Sequence, residues 1–148
     1  MPTPWVNLKR LVSLVVIVFV FACGKQPAGP PQGNAVSFSR EIEPLLNNRC
    51  AFTGCHGAIN PNPIGAPMIL ETGASYAALL GDAPFTGRPS FQMPQLLRVN
   101  PGKPDSSYLI LKLKGLGLGS RMPFFGDPLP PETIARSEQW VREGAQRN

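Results

Sequence analysis

Apolar residues crowd the first 22 positions, then thin into short clusters separated by proline and glycine. Leu11 to Ala22 is apolar except for Ser13, a run of 12 residues with Lys9 and Arg10 just before it. A bilayer-spanning helix needs roughly 20 residues, so this short run with its basic flank predicts an export signal over 1–22. Residues 24–36 (GKQPAGPPQGNAV) hold three Pro and three Gly. That composition prevents regular structure and predicts a flexible linker over 23–36. The folded domain is expected over 37–148, with no internal repeat.

Within that domain the apolar spacing predicts four helices and argues for almost no strand. Ser39 to Arg49 places Ile42, Leu45 and Leu46 on one face, with Ser39 as N-cap and Glu41 and Glu43 at the positive end of the dipole. Pro44 allows the regular helix to begin only there. Ser75 to Leu80 is a short second helix stopped by Gly81. Asp105 to Lys114 is the third, with Asp105 as cap and Gly115 as its left-handed stop. Pro131 to Glu143 is the fourth, with Pro131 near the first position, Ile134, Trp140 and Val141 on one face, and Gly144 past its end. Residues 57–73 and 81–104 are long Pro/Gly-rich connections, and loops of that length need a reason to stay ordered.

Composition sharpens this picture. The chain has 148 residues, of which 15 Gly and 18 Pro make up about 22%, close to the level of low-complexity chains, yet 43% are hydrophobic. These values exclude a multidomain enzyme, a coiled coil and a multispan membrane protein. They fit a loop-heavy domain that needs something beyond its own core. Removing Lys9 and Arg10 from 14 basic residues leaves 12 against 9 acidic, a balance of +3 rather than +5. No basic block remains and no aromatics interleave with the basic residues, so nucleic acid is not an expected partner.

The chemistry concentrates at Cys50-Ala-Phe-Thr-Gly-Cys55-His56, where the sole histidine follows the last of three cysteines. C-x-x-C-H is the attachment signature of haem c, in which two thioethers fix the porphyrin and the histidine ligates iron. The spacing here is the wider C-x4-C-H. Positions five apart on a helix are turned about 140° from each other, so Ala51 to Gly54 must bulge as a loop, with Gly54 supplying permissive backbone. Other readings stand beside this one. A Cys50–Cys55 disulfide is feasible in an exported protein. Structural zinc wants four ligands where three are offered. A thioredoxin-like pair expects C-x-x-C within a βαβ pattern.

From Phe38 onward the chain resembles a family of bacterial secreted or lipid-anchored c-type cytochrome domains. The matching segments are FSREIEPLLNNRC…GCHG, LLRVNPGKPDSSYLILKLKG, SRMPFFGDPLPPETI and QWVREGA, covering about residues 37–145. The resemblance implies a small all-α cytochrome c-like fold whose first and last helices cross beside one covalent haem c. It also implies electron transfer rather than enzymatic turnover, with redox proteins as partners. Val20-Phe21-Ala22-Cys23-Gly24 resembles the lipobox of bacterial lipoproteins, with Phe21 where a small residue is usual. Cys23 would then be lipidated, anchoring the domain to the cell envelope, and Gly24 favours the outer membrane. The alternative is an uncleaved signal anchor in which Cys23 is an ordinary apolar residue.

A single histidine rules out bis-His ligation within this chain, so the sixth iron ligand is sought among Met68, Met93 and Met122. A thioether is a soft ligand that raises the reduction potential. Met93 and Met122 both precede Pro. Met122, in the R-M-P segment 66 residues after His56, stands where the resemblance puts the distal methionine. Cys50, Cys55, His56 and Met122 are therefore the expected haem-binding set, and Phe52, Leu109, Phe124 and Trp140 are expected to keep water from the iron. Gly115 to Ser120 (GLGLGS) lacks the third glycine of a dinucleotide loop and follows a helix, so it reads as a helix stop and a pliable loop. Two further function classes stay open. One is a haem-free binding module stapled by a Cys50–Cys55 disulfide, and the other is a haem enzyme or sensor with an exchangeable sixth site.

Overall fold

The computed structural model describes residues 34–59 and 68–148; the expected signal, Cys23 and most of the linker lie outside the described residues. In chain order the elements are a π-helical turn Phe38–Ile42, α1 Glu43–Cys50, α2 Ser75–Leu80, a 3-10 turn Pro104–Ser106, α3 Tyr108–Lys114 and α4 Pro131–Arg142. The domain is all-α, and its only β pairing among the described residues is two isolated bridges, Pro89 with Leu97 and Leu97 with Ser107. No described helix is long and apolar enough to cross a membrane.

The first predicted helix is divided at Pro44. Proline has no N–H for the carbonyl of Arg40, and its ring crowds that carbonyl. The turn ahead of it is wide, closing from the Glu43 N–H to the Phe38 carbonyl, and regular helix starts at Glu43. The cap is Ser37, not Ser39. Its hydroxyl accepts from the Arg40 N–H at 3.4 Å, while its own N–H donates to Glu41 Oε1 at 3.1 Å. The next orphan donors reach across the chain: the Phe38 N–H bonds Asn148 Oδ1 at 2.7 Å and the Ser39 N–H bonds the Asn148 carbonyl at 2.9 Å.

Helix α2 has the predicted bounds and ends at Gly81, whose φ is +82°. Helix α3 begins at Tyr108, three residues later than the sequence suggested, and Asp105 does not cap it. Ser107 is extended there (φ −92°, ψ 115°), because the N–H groups of Tyr108 and Leu109 go to the carbonyls of Leu97 and Arg98, both at 2.9 Å, instead of opening a helical ladder. Helix α4 starts at Pro131 as expected.

Phe38, Ile42, Leu46, Leu79, Ile110 and Trp140 meet in one buried core. Val36, assigned above to the linker, is 1% exposed and belongs to that core. The N-terminal turn and α4 meet where the Phe38 and Trp140 rings stand 5.3 Å apart and where Arg136 holds Glu41 Oε2 at 2.6 Å. Loop 81–104 is tied to α2 by hydrogen bonds from both the main chain and a side chain. Gly87 and Arg88 donate to the carbonyls of Leu80 and Leu79, and the Arg98 guanidinium donates to the Ala78 carbonyl at 2.6 Å.

Candidate functional site

Cys50 is the last residue of α1, and Ala51 (φ −86°, ψ 51°) leaves the helix. The chain then folds back on itself. The Cys50 carbonyl accepts from the N–H of Phe52 at 3.0 Å and of His56 at 3.1 Å, while the Phe52 carbonyl accepts from Cys55 at 2.9 Å and Gly57 at 3.1 Å. Gly54 sits at the crest with φ +78° and open space around it, a backbone region in which glycine alone is unstrained. Gly57 is buried, and a Cβ there would stand 3.0 Å from the Phe52 carbonyl oxygen. The bulge that C-x4-C-H requires is therefore closed by its own main chain.

Cys50 and Cys55 are both free thiols, half-buried. Burial, aided by the neighbouring Cys55, pushes the Cys50 thiol up to about 11 against the opposing Arg49 charge, so it stays protonated at neutral pH. No cluster of three His, Cys, Asp or Glu is placed to hold a metal ion among the described residues.

His56 is oriented from behind. Its Nδ1 lies 3.1 Å from the Met68 carbonyl, and its own carbonyl accepts from the Leu70 N–H at 2.8 Å. A carbonyl only accepts, so Nδ1 carries the proton and Nε2 keeps its lone pair facing away. A backbone carbonyl behind a histidine is how proteins fix the tautomer of a metal-ligating imidazole. Burial lowers the His56 pKa; the Met68 bond opposes that, and the charges of Arg98 and Lys112 add to it, keeping the ring neutral.

The three methionines sit in different settings. Met68 packs against the core on the His56 side and supplies the carbonyl just described. Met93 lies in the turn closed by Leu96, with its N–H on Ser90 Oγ at 3.2 Å. Met122 is half-buried and tied to α3, its N–H bonding the Lys112 carbonyl at 3.0 Å. Of the four residues expected to exclude water, Trp140 is fully buried in the core and Leu109 packs against it. Phe52 and Phe124 are 54% and 57% exposed, and the Phe124 ring packs edge-on against Phe125 at 4.6 Å. A cavity of about 480 Å³ elsewhere is lined by Tyr76, Phe85, Asn100 and Gln146 and includes none of the expected ligands.

Sequence reasoning missed three contributors: the Met68 carbonyl, Arg98 and Lys112. A backbone carbonyl carries no residue signature, so nothing in the sequence marked the first. For Lys112 a signal existed, since it sits four residues after Tyr108 on the helix and three before the glycine-rich GLGLGS.

No family model and no curated protein matches the sequence. Among solved structures, hydrazine synthase of Kuenenia stuttgartiensis is similar over 74% of this chain, with 22% identity and a TM-score of 0.47. This chain spans 16% of that one.

Proposed function

We propose that the protein is a single-haem c-type cytochrome that transfers electrons, bound to the cell envelope through a lipidated Cys23 and serving redox partner proteins. Haem c supplies a one-electron Fe(II)/Fe(III) couple when bound. The residues present fit that group. Cys50 and Cys55 offer two free thiols for thioether attachment, one at the end of α1 and one in the turn that follows. His56 offers a neutral Nε2, and Met122 offers a thioether on the loop tied to α3.

The observation that carries the reading is the bond from His56 Nδ1 to the Met68 carbonyl, directly beside two unpaired thiols. The Nδ1–H tautomer this bond selects leaves the lone pair on Nε2, the form in which an imidazole ligates a metal. His56 and Met122 would together hold the haem iron through an imidazole and a soft thioether, a pair that would favour the ferrous state and suit a carrier.

The test is haem retention in protein made by a host with a working haem c maturation system. Wild-type protein should keep its haem through denaturation and acid–acetone extraction. Cys50→Ala/Cys55→Ala should lose it, while Cys23→Ala should keep haem and leave the membrane fraction. A colourless or fully extractable wild-type protein would rule the reading out.

A further inference from the structure

Helix α3 carries a lysine where an apolar residue would be ordinary. Lys112 is 8% exposed and lies between Leu111 and Leu113. No carboxylate pairs with it among the described residues. Its ammonium is satisfied instead by main chain, bonding the carbonyls of Leu118 at 2.8 Å and Ser120 at 2.5 Å, with the Tyr108 ring centroid 6.0 Å away. The Tyr108 hydroxyl donates to Gln92 Oε1 at 2.8 Å and stands 3.4 Å from the same Leu118 carbonyl. Burying an ammonium is costly unless such partners are supplied, so the loop and the lysine need each other.

The loop is shaped for this contact. Gly115 adopts φ +76° and closes α3, with its N–H on the Lys112 carbonyl at 3.3 Å and the Leu116 N–H on the Leu111 carbonyl at 2.8 Å, the pattern of a Schellman stop. Gly117 passes directly over the lysine stem, where a Cβ would stand 2.7 Å from Lys112 Cδ and 3.3 Å from the Tyr108 ring. The chain then returns, and the Met122 N–H reaches the Lys112 carbonyl. One residue thus holds the segment at its middle with a side chain and at its end with a carbonyl.

We propose that Lys112 is a positioning residue for Met122, its buried ammonium clamping the Gly115–Arg121 loop onto α3 and so fixing where the Met122 thioether stands. The part concerning iron rests on the function proposed above; the clamp itself does not. Lowering of the Lys112 pKa by burial agrees with an ammonium held inside the loop rather than in water. The glycine-rich stretch is on this view the groove for one long side chain.

The experiment compares full-length haem-loaded wild type with Lys112→Met, which keeps the stem and removes the ammonium. Amide hydrogen exchange over 115–123 should accelerate tenfold or more while 131–142 stays unchanged. The sulfur-to-iron charge-transfer band of the oxidised protein should fall by at least half. Gly117→Ala, which leaves the ammonium but pushes its stem, should give the same local acceleration and serves if Lys112→Met does not accumulate. Acceleration below tenfold, or acceleration spread equally over α4, overturns the clamp. A wild-type protein with covalent haem but no sulfur–iron band overturns Met122 as ligand, and the exchange data then judge the clamp alone.

Discussion

Between Cys50 and Gly57 the main chain closes four hydrogen bonds within its own eight residues. Between Gly115 and Met122 it closes none: the N–H groups of Gly115, Leu116, Gly117 and Met122 all end on the carbonyls of Leu111 or Lys112. One candidate ligand therefore stands on a turn whose main chain closes on itself and whose imidazole is braced by the Met68 carbonyl, the other on a strap held by a neighbouring helix and a buried ammonium. The main-chain path of a self-closed turn is set locally, and here Met68 and Leu70 add the bonds that orient His56. A strap has the geometry of whatever it is tied to, so it can be released at one point while the fold survives. The difference assigns rigidity to the His56 side and adjustability to the Met122 side.

The sharpest way to break the comparison is to cut the strap's cargo alone. Met122→Ala should open the iron to carbon monoxide and lower the midpoint potential, since a soft ligand favouring the ferrous state is lost. Met93→Ala and Met68→Ala should do neither and cost at most a few kcal/mol of packing. Carbon monoxide titration of the reduced proteins side by side decides it; wild type binding as readily as Met122→Ala would show that the strap carries no ligand.

A smaller effect tests the self-closed turn. Gly57→Ala forces a Cβ against rigid main chain at Phe52 and Ala51 and should cost about 1–3 kcal/mol in denaturant unfolding. Gly54→Ala meets open space and strains only its own φ, which costs about 1 kcal/mol. Equal effects at the two positions would mean the turn yields as easily as the strap.

The smallest effect lies outside both loops. Arg136 beside Glu41 holds that carboxyl below its ordinary value of 4.5; burial opposes this, and the Ser37 N–H and the charge of Arg40 assist it. A depressed folded pKa means the contribution is fully present above 4.5 and lost as pH falls through the lower folded value. Because both side chains are more than a third exposed, screening keeps it below about 1 kcal/mol. Glu41→Gln should lower stability slightly at pH 7, and its stability should fall less steeply than wild type below pH 4.5, with haem binding unaltered. A change in haem retention would show that the N-terminal turn and the Cys50–His56 loop are not independent.

Much of the helical content and half of the candidate site were legible from the residues themselves. Pro44, Gly81, Gly115 and Pro131 mark helix boundaries because a missing N–H or a permitted positive φ is a property of one residue, whatever surrounds it. Cys50, Cys55 and His56 were equally readable, since their spacing alone demands a bulge after α1. The rest depended on partners distant in sequence. Ser37 displaced Ser39 as cap through Glu41 and Asn148, Val36 entered the core, and α3 started late because Leu97 and Arg98 took its first donors. Lys112 stands in sequence only as a lysine spaced between Tyr108 and GLGLGS, and the carbonyls that make it an internal clamp are supplied by the fold. The physical reason is common to all of these. Backbone conformation is decided residue by residue, whereas a hydrogen-bond acceptor or a buried volume is supplied by whatever segment the fold brings alongside, and only the tertiary structure names that segment.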